Sequence, residues 1–255
     1  MNILITGAAK RLGKFLSEYL AQQGHNIIIH YNNSAEEAEA LEASLSTKYP
    51  DQCFYSIGHD LSVLEQLDGF MPKVFELVGN VDLLINNAAM FEYDLASNFK
   101  TTTLQKHLVV NSIAPMVLAR DFINLSECPT PILIQILDNK VDSLNPDYFS
   151  YTISKMALKA FTEMCGMLPL KGEKAYGVAP SMILESGAPT VGKVDLLTKI
   201  NPLQKRIPLS AIADAVAFLA QGSLTSGEII YVDGGQTLLQ LPRDVAFLDL
   251  DEEKQ

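Results

Sequence analysis

Asn2-Ile3-Leu4-Ile5-Thr6-Gly7-Ala8-Ala9-Lys10-Arg11-Leu12-Gly13 is the stretch that decides the fold of this chain. A short apolar run, Asn2–Thr6, breaks at a glycine and passes directly into a helical pattern, Leu12–Gln23. The same rhythm returns along the whole sequence. Runs of strand length recur at Asn26–Tyr31, Gln52–Ser56, Asp82–Asn86, Ile132–Leu137, Lys174–Val178 and Glu228–Val232. Between them Ala35–Lys48, Leu64–Val78, Thr103–Phe122, Tyr148–Met167 and Ile212–Leu219 have the length and spacing of crossover helices.

Alternation of this kind means βαβ units and a parallel sheet. The expected fold class is α/β, a single doubly wound Rossmann-type domain over residues 1–240 with a seven-stranded, mostly parallel sheet and helices on both faces. Right-handed crossovers place the carboxyl ends of the strands on one edge, where ligands of such sheets bind.

Bulk properties narrow the possible partners. The chain has 255 residues, 48% of them hydrophobic, enough for one sizeable core. A net charge of -11 and a pI near 4.8 argue against nucleic acid and anionic membrane as partners. Met1-Asn2-Ile3-Leu4-Ile5 lacks a basic leader and is too short to span a bilayer, which points to the cytoplasm. Cys53, Cys128 and Cys165 show no CxxC spacing, so reduced core thiols are expected and no metal site.

Two stretches leave the rhythm. Residues 181–209 carry Gly187, Pro189, Gly192, Pro202 and Pro208 after a strand's carboxyl end, and read as a substrate-covering loop or as an ordinary long connection. Residues 241–255 read as an acidic C-terminal tail, ending in Asp249-Leu250-Asp251-Glu252-Glu253, solvated and poorly ordered.

The opening turn suits a dinucleotide's pyrophosphate. Gly7 permits the tight turn, Gly13 lets the helix pack closely, and the helix N-terminus offers free N–H groups. Two glycines can equally mark a plain strand-to-helix turn; their position between first strand and first helix gives the pattern its weight. Arg11 stands where many such turns have another glycine. The second strand ends in His30-Tyr31-Asn32-Asn33-Ser34, with no carboxylate to repel a 2′-phosphate. Arg11 with Asn33 and Ser34 would bind that phosphate through charge-assisted hydrogen bonds, so NADPH is expected over NADH.

Tyr151-Thr152-Ile153-Ser154-Lys155 sets a phenol and an ammonium on one helical face. A neighbouring cation favours the ionised phenol, which suits a proton donor working near neutral pH. Taken alone, the pair could equally be a solvated helix edge.

In order and spacing, Thr6-Gly7 through Gly13, Asp60, Asn86-Asn87-Ala88, Asn111 and Tyr151-x-x-x-Lys155 resemble the short-chain dehydrogenase/reductase family. The likeness runs through nearly the whole chain, to Val232-Asp233-Gly234-Gly235. It implies a cofactor site built from Thr6, Gly7, Arg11, Leu12, Gly13, His30, Asn33, Ser34, Asp60, Leu61, Asn87, Ala88, Lys155 and Pro180. Asp60 would accept from the adenine amino group, or else cap the third helix. Asn87 and Ala88 would lie beside the adenosine ribose, and Asn86 would steady the sheet. Asn111 would sit at a helix kink holding a water joined to Lys155. Tyr151 would donate the proton, while Lys155 would bind the nicotinamide ribose and lower the Tyr151 pKa. The family is mostly tetrameric, which implies a homotetramer.

One departure bears on substrate. Where the family usually has a third catalytic Ser, about a dozen positions before the Tyr, this chain has Asp138. It could be a helix cap, yet a carboxylate opposes Tyr ionisation and suits a substrate whose ring nitrogen must be protonated. Arg11, His30, Phe91, Asp138 and Tyr148 together resemble the pteridine reductase branch, which includes dihydromonapterin and dihydrofolate reductases. That resemblance implies a substrate site of Phe91, Asp138, Tyr148 and Tyr151, with Phe91 stacking the pterin unless it is only a buried loop anchor. Pro180-Ser181 in place of Pro-Gly, Asn33 in place of the branch's Arg, and Ala89-Met90 in place of a hydroxyl depart from the pattern. The expected activity is NADPH-dependent hydride transfer to a dihydropterin C=N bond. The alternatives are a carbonyl reductase acting on a ketone, acyl thioester or sugar, and a non-catalytic dinucleotide-binding protein.

Overall fold

Isoleucine and leucine alternate along the first strand, β1 (Asn2–Ile5), and so feed two separate cores. The computed structural model describes residues 1–167, 171–181, 197 and 199–248. After β1 come α1 (Arg11–Gln22), β2 (Asn26–Tyr31), α2 (Ala35–Lys48), β3 (Phe54–Gly58), α3 (Phe70–Val78) and β4 (Leu83–Asn86). The second half holds α4 (Thr101–Leu108), α5 (Ala114–Leu125), β5 (Ile132–Ile136), α6 (Phe149–Met167), β6 (Lys174–Pro180), α7 (Leu209–Leu219) and β7 (Ile229–Val232). The seven strands order as β3-β2-β1-β4-β5-β6-β7, and every pairing between them is parallel.

Ile3, Ile5, Ile27, Ile29, Ile134 and Val178 face one side, where α1, α2 and α7 cover them with Leu16, Leu41 and Val216. Leu4, Ile28, Leu84 and Leu133 face the other, under Phe70 and Val74 of α3 and Leu118 and Phe122 of α5. Removal of this much apolar surface from water on both faces is what holds the sheet. Because β2 lies beside β1 on one side and β4 on the other, the chain reverses its winding between β1 and β4. A crevice therefore opens at their carboxyl ends.

Several boundaries differ from the sequence reading, each for a local reason. β3 starts at Phe54 rather than Gln52, because the Gln52 amide donates to the Ala21 and His25 carbonyls and Phe54 is the residue that enters the core. The third crossover is a 3₁₀ turn, Leu64–Gly69, followed by α3, with Gly69 at the junction. The fourth is interrupted by a π turn, Val109–Ile113. Pro115 has no N–H to return to the Asn111 carbonyl, so the α-helical ladder cannot run through this point. From Thr101 to Leu125 this segment is long and apolar enough to cross a membrane, but Leu118, Ala119 and Phe122 are fully buried in the sheet-facing core.

Of the cysteines expected in the core, Cys53 is exposed and Cys128 half-buried, while the half-buried Cys165 packs against the second core. Of the expected loop over 181–209, residues 182–196 and 198 lie outside the described residues, and Leu209 already begins α7. The acidic run of the tail, from Asp249, also lies outside them. Leu241–Leu248, by contrast, is not a solvated tail. Val245 is buried, Asp244 pairs with Lys140, and the segment lines the cleft described below.

α6 lies against the turn before β7 with no room for a side chain. A Cβ at Gly166 would fall 2.4 Å from the Gly227 Cα. Gly166→Ala should therefore lower stability by about 1–3 kcal/mol through overpacking, read as a shift in the urea midpoint at unchanged slope.

Candidate active site

The crevice between β1 and β4 is a cleft of about 1030 Å³ with two ends. At one end lies the turn after β1. Gly7 adopts φ +63, and a Cβ at Gly13 would fall 2.2 Å from the Gly7 carbonyl oxygen, so helix and turn approach as only glycine allows. Lys10, at the N-cap of α1, makes no side-chain cap, which leaves the leading N–H groups of the helix for a ligand. Arg11 takes φ +51, the left-handed conformation usually left to glycine, and lines the cleft.

Thr6, just after β1, and Asn87, just after β4, brace this turn together. Thr6 Oγ1 accepts from the Asn87 and Ala88 amides at 2.9 and 3.0 Å, while Asn87 Nδ2 donates to the Thr6 and Gly7 carbonyls. His30 braces it from β2. The Gly7 N–H donates to His30 Nδ1 at 3.1 Å, so Nε2 carries the ring proton and donates to the His59 carbonyl at 3.0 Å. Both ring nitrogens are thus committed within the protein, and burial pushes the imidazole down to about 4. His30 serves the nucleotide end as a neutral brace rather than as a donor to phosphate.

Asn33 and Ser34 line the same end, and the Ser34 hydroxyl makes no cap to α2. Glu37, in the first turn of α2, is held by Lys10 Nζ at 2.7 Å. Asp60 Oδ1 accepts from the Ser62 amide at 2.9 Å in a turn of its own. It does not cap the third helical segment, which starts only at Leu64. Leu12, Leu61, Ala88 and Pro180 complete the wall.

At the other end β5 delivers Asp138 and α6 delivers Tyr151 and Lys155. Tyr151 Oη donates to Asp138 Oδ2 at 2.9 Å. Asp138 Oδ1 accepts from the Lys140 amide at 2.9 Å, so the cap and the Tyr contact are made at once by the two carboxylate oxygens. Lys155 Nζ donates to the Ile136 carbonyl at 2.7 Å and lies 5.9 Å from the centre of the Tyr151 ring.

The electrostatics correct one expectation. Lys155 does not lower the Tyr151 pKa here: burial and the adjacent Asp138 carboxylate hold the phenol well above its ordinary value. Burial also raises Asp138 above the usual carboxylate range and pushes Lys155 down to about 8. The shared proton stays on Tyr151.

Asn111 sits in the π turn as the sequence implied, and its side chain is fully used. Oδ1 accepts from the Met90 amide at 2.7 Å, and Nδ2 donates to the Met90 carbonyl and to Ser154 Oγ. It therefore ties the segment after β4 to α6. Asp94 does the same by accepting from the Ser150 amide at the start of α6. That segment carries Phe91, stacked on Tyr148 at 4.2 Å and edge-on to Tyr151 at 4.7 Å. Phe91 is 43% exposed, which excludes a buried loop anchor. Tyr148 precedes α6 with φ +57.

A family model described as enoyl-(acyl carrier protein) reductase matches residues 7–237. The chain belongs to the short-chain dehydrogenase/reductase family. Among solved reductases of similar fold is FolM alternative dihydrofolate reductase 1 from Brucella suis, in complex with NADP. It superposes with a TM-score of 0.84 at 28% identity, over 93% of this chain and 95% of that one. Pteridine reductase 1 of Leishmania tarentolae is 27% identical, covering 92% of this chain and 96% of its own. The 3-oxoacyl-[acyl-carrier-protein] reductase FabG of Staphylococcus aureus is 25% identical over 92% and 97%.

The site of this oxidoreductase also contains side chains that the sequence did not point to. Lys140, Asn145, Leu241, Asp244, Val245 and Phe247 line the Asp138–Tyr151 end of the cleft. No local motif marks them, since Lys140 and Asp244 meet across 104 positions.

His30 gives the brace a pH signature. Its folded pKa lies below the ordinary 6.5, so its contribution is complete above that value and is lost as pH falls toward about 4. About 2 kcal/mol should be lost by pH 5 from this group. Urea unfolding at pH 7.5 and 5 should show that loss shrinking by about the same amount in His30→Gln. Identical pH dependence in the two proteins would show that His30 is not buried neutral.

Proposed function

We propose that this reductase uses NADPH to reduce the C=N bond of a dihydropterin. The Tyr151–Asp138 hydrogen bond, part-buried in the wall of the cleft, carries the reading. The cofactor fits the cleft on its own geometry: the close Gly7–Gly13 approach leaves a backbone cradle, and Arg11, Asn33 and Ser34 stand at its edge without a carboxylate among them. Gly7 through Gly13 would hold the pyrophosphate, Arg11 with Asn33 and Ser34 the 2′-phosphate, and Lys155 the nicotinamide ribose. Bound there, the cofactor supplies a hydride.

The chain's own residues supply the proton. Tyr151 is protonated across the physiological range and stands beside Asp138, itself easier to protonate than an ordinary Asp. The phenol gives its proton to the substrate nitrogen, and the pair recovers one from solvent, while the Lys155 cation limits the charge left on the phenol. A carbonyl oxygen gains less from a carboxylate neighbour, since a negative group opposes the developing negative charge. Phe91 offers a flat exposed ring on which a pterin can stack. The relatives FolM and pteridine reductase 1 support the same class. A carbonyl reductase is the second reading, favoured by the similarity to FabG at comparable identity. Ile113, Leu125, Ile153, Met164 and Met167 are exposed apolar residues on the α4–α6 side, which supports a homotetramer.

Oxidation of NADPH with dihydrobiopterin, dihydromonapterin and dihydrofolate, beside a panel of ketones and acyl thioesters, decides between the two. Turnover confined to the carbonyl compounds ends the pterin reading. Asp138→Ser should lower pterin kcat/KM by roughly a hundredfold or more and leave NADPH affinity near normal. Arg11→Ala should raise the NADPH KM about tenfold while the NADH KM stays within a factor of about two; an unchanged cofactor preference removes Arg11 from 2′-phosphate recognition.

A further inference from the structure

The last described segment, Arg243–Phe247, has no part in the family pattern, yet it is fastened to the loop between β5 and α6 by two ion pairs. Arg243 makes a two-point contact with Asp147, Nε at 2.8 Å to Oδ2 and Nη2 at 2.7 Å to Oδ1. The Asp147 side chain is completely buried, and the Asp244 amide donates to it as well, at 2.8 Å. Lys140 Nζ pairs with Asp244 Oδ2 at 2.7 Å, both side chains nearly buried, and it also donates to Asn145 Oδ1. Bidentate Arg–carboxylate contacts fix orientation as well as distance, and buried carboxylates of this kind tolerate no loss of partner.

What the clasp holds is an aromatic wall. Phe247 lies 4.9 Å from Tyr93 and 6.0 Å from Tyr148, Tyr93 meets Tyr148 edge-on at 5.2 Å, and Tyr148 stacks on Phe91. Arg243 lies over the ring of Phe247 at 5.3 Å, and Lys140 over that of Tyr148 at 5.5 Å. Tyr148 directly follows Asp147, in the left-handed backbone conformation at φ +57. A bulky residue keeps that conformation only where its surroundings impose it. One ion pair is made by the residue directly before Tyr148, and the cation of the other lies over its ring.

We propose that Arg243–Phe247 forms the specificity-determining wall of the substrate end, and that Asp147–Arg243 and Lys140–Asp244 are positioning pairs that set Tyr148, and through their stack Phe91, as a fixed flat face for the substrate. The wall narrows the cleft to thin, planar substrates. The inference rests on the proposed function only in taking this end of the cleft as the substrate's. It therefore holds for whichever compound the enzyme reduces.

The test uses the full chain and the best substrate of the wild-type panel, with NADPH affinity measured separately by fluorescence. Arg243→Met should raise the substrate KM at least tenfold, Arg243→Lys should restore most of that loss, and NADPH affinity should stay within twofold in both. Phe247→Ala, at a partly exposed ring, covers the case in which Arg243→Met does not fold. It should raise KM for the planar substrate and lower the discrimination against bulkier ones. A KM within twofold of wild type in Phe247→Ala or in folded Arg243→Met overturns the proposal, as does a parallel loss of NADPH affinity. A wild type that reduces only ketones removes the pterin reading and leaves this measurement intact.

Discussion

The parallel pairing of β1 with β4, each carrying its own half of the sheet, is the constraint on which the site depends. Successive crossovers of one hand then leave toward opposite faces, and the carboxyl ends of these two strands cannot be covered by either layer. Everything chemical in the molecule is placed relative to that opening. The glycine turn leaves β1, Asn87 and Phe91 follow β4, and Asp138 follows β5 next door. Helix α6 returns across the same edge and brings Tyr151 and Lys155 down onto Asp138. A parallel ladder is rigid over the short distances involved, so side chains from four elements meet within hydrogen-bond reach.

Features carried by short local patterns were legible in the sequence. The alternation of strands and crossovers, the glycine turn and the Tyr151–Lys155 spacing all depend on neighbours within a few positions. The interruption near Asn111, implied by resemblance, has a local cause too, because Pro115 removes a donor wherever the helix packs. What was not legible depends on distant partners. Nothing near His30 shows that its ring is clamped between Gly7 and His59, so the way this residue of the expected cofactor site acts, as a brace, was hidden. Gln52 reads as the start of a strand until its amide is seen to serve two carbonyls at the end of α1 and the turn after it. Leu241–Leu248 reads as tail because the groups that order it lie about a hundred positions earlier in the chain.

The reversed sign at Tyr151 has the same origin. Spacing alone pairs the phenol with Lys155, and an ammonium one turn away favours ionisation. In three dimensions the ammonium is drawn to the Ile136 carbonyl, while the hydroxyl meets a carboxylate in the wall of the cleft. Burial decides most of the shift, and the nearer, more directly aimed carboxylate adds to it. Asp138 reconciles two readings that looked exclusive, since one oxygen orders its own loop and the other faces the phenol.

Arg11 shows where folding and recognition pull apart. Its left-handed backbone is the conformation for which glycine is suited, and any residue with a Cβ bears roughly 1–2 kcal/mol to hold it. The chain keeps a long cation at this position in spite of that strain. A library selected only for thermal resistance would drift toward glycine at Arg11, gaining firmness in the unliganded protein and shedding the charge at the nucleotide end. Stabilising this scaffold by consensus or by screening alone would thus erode the proposed binding of the 2′-phosphate, which no stability assay reports.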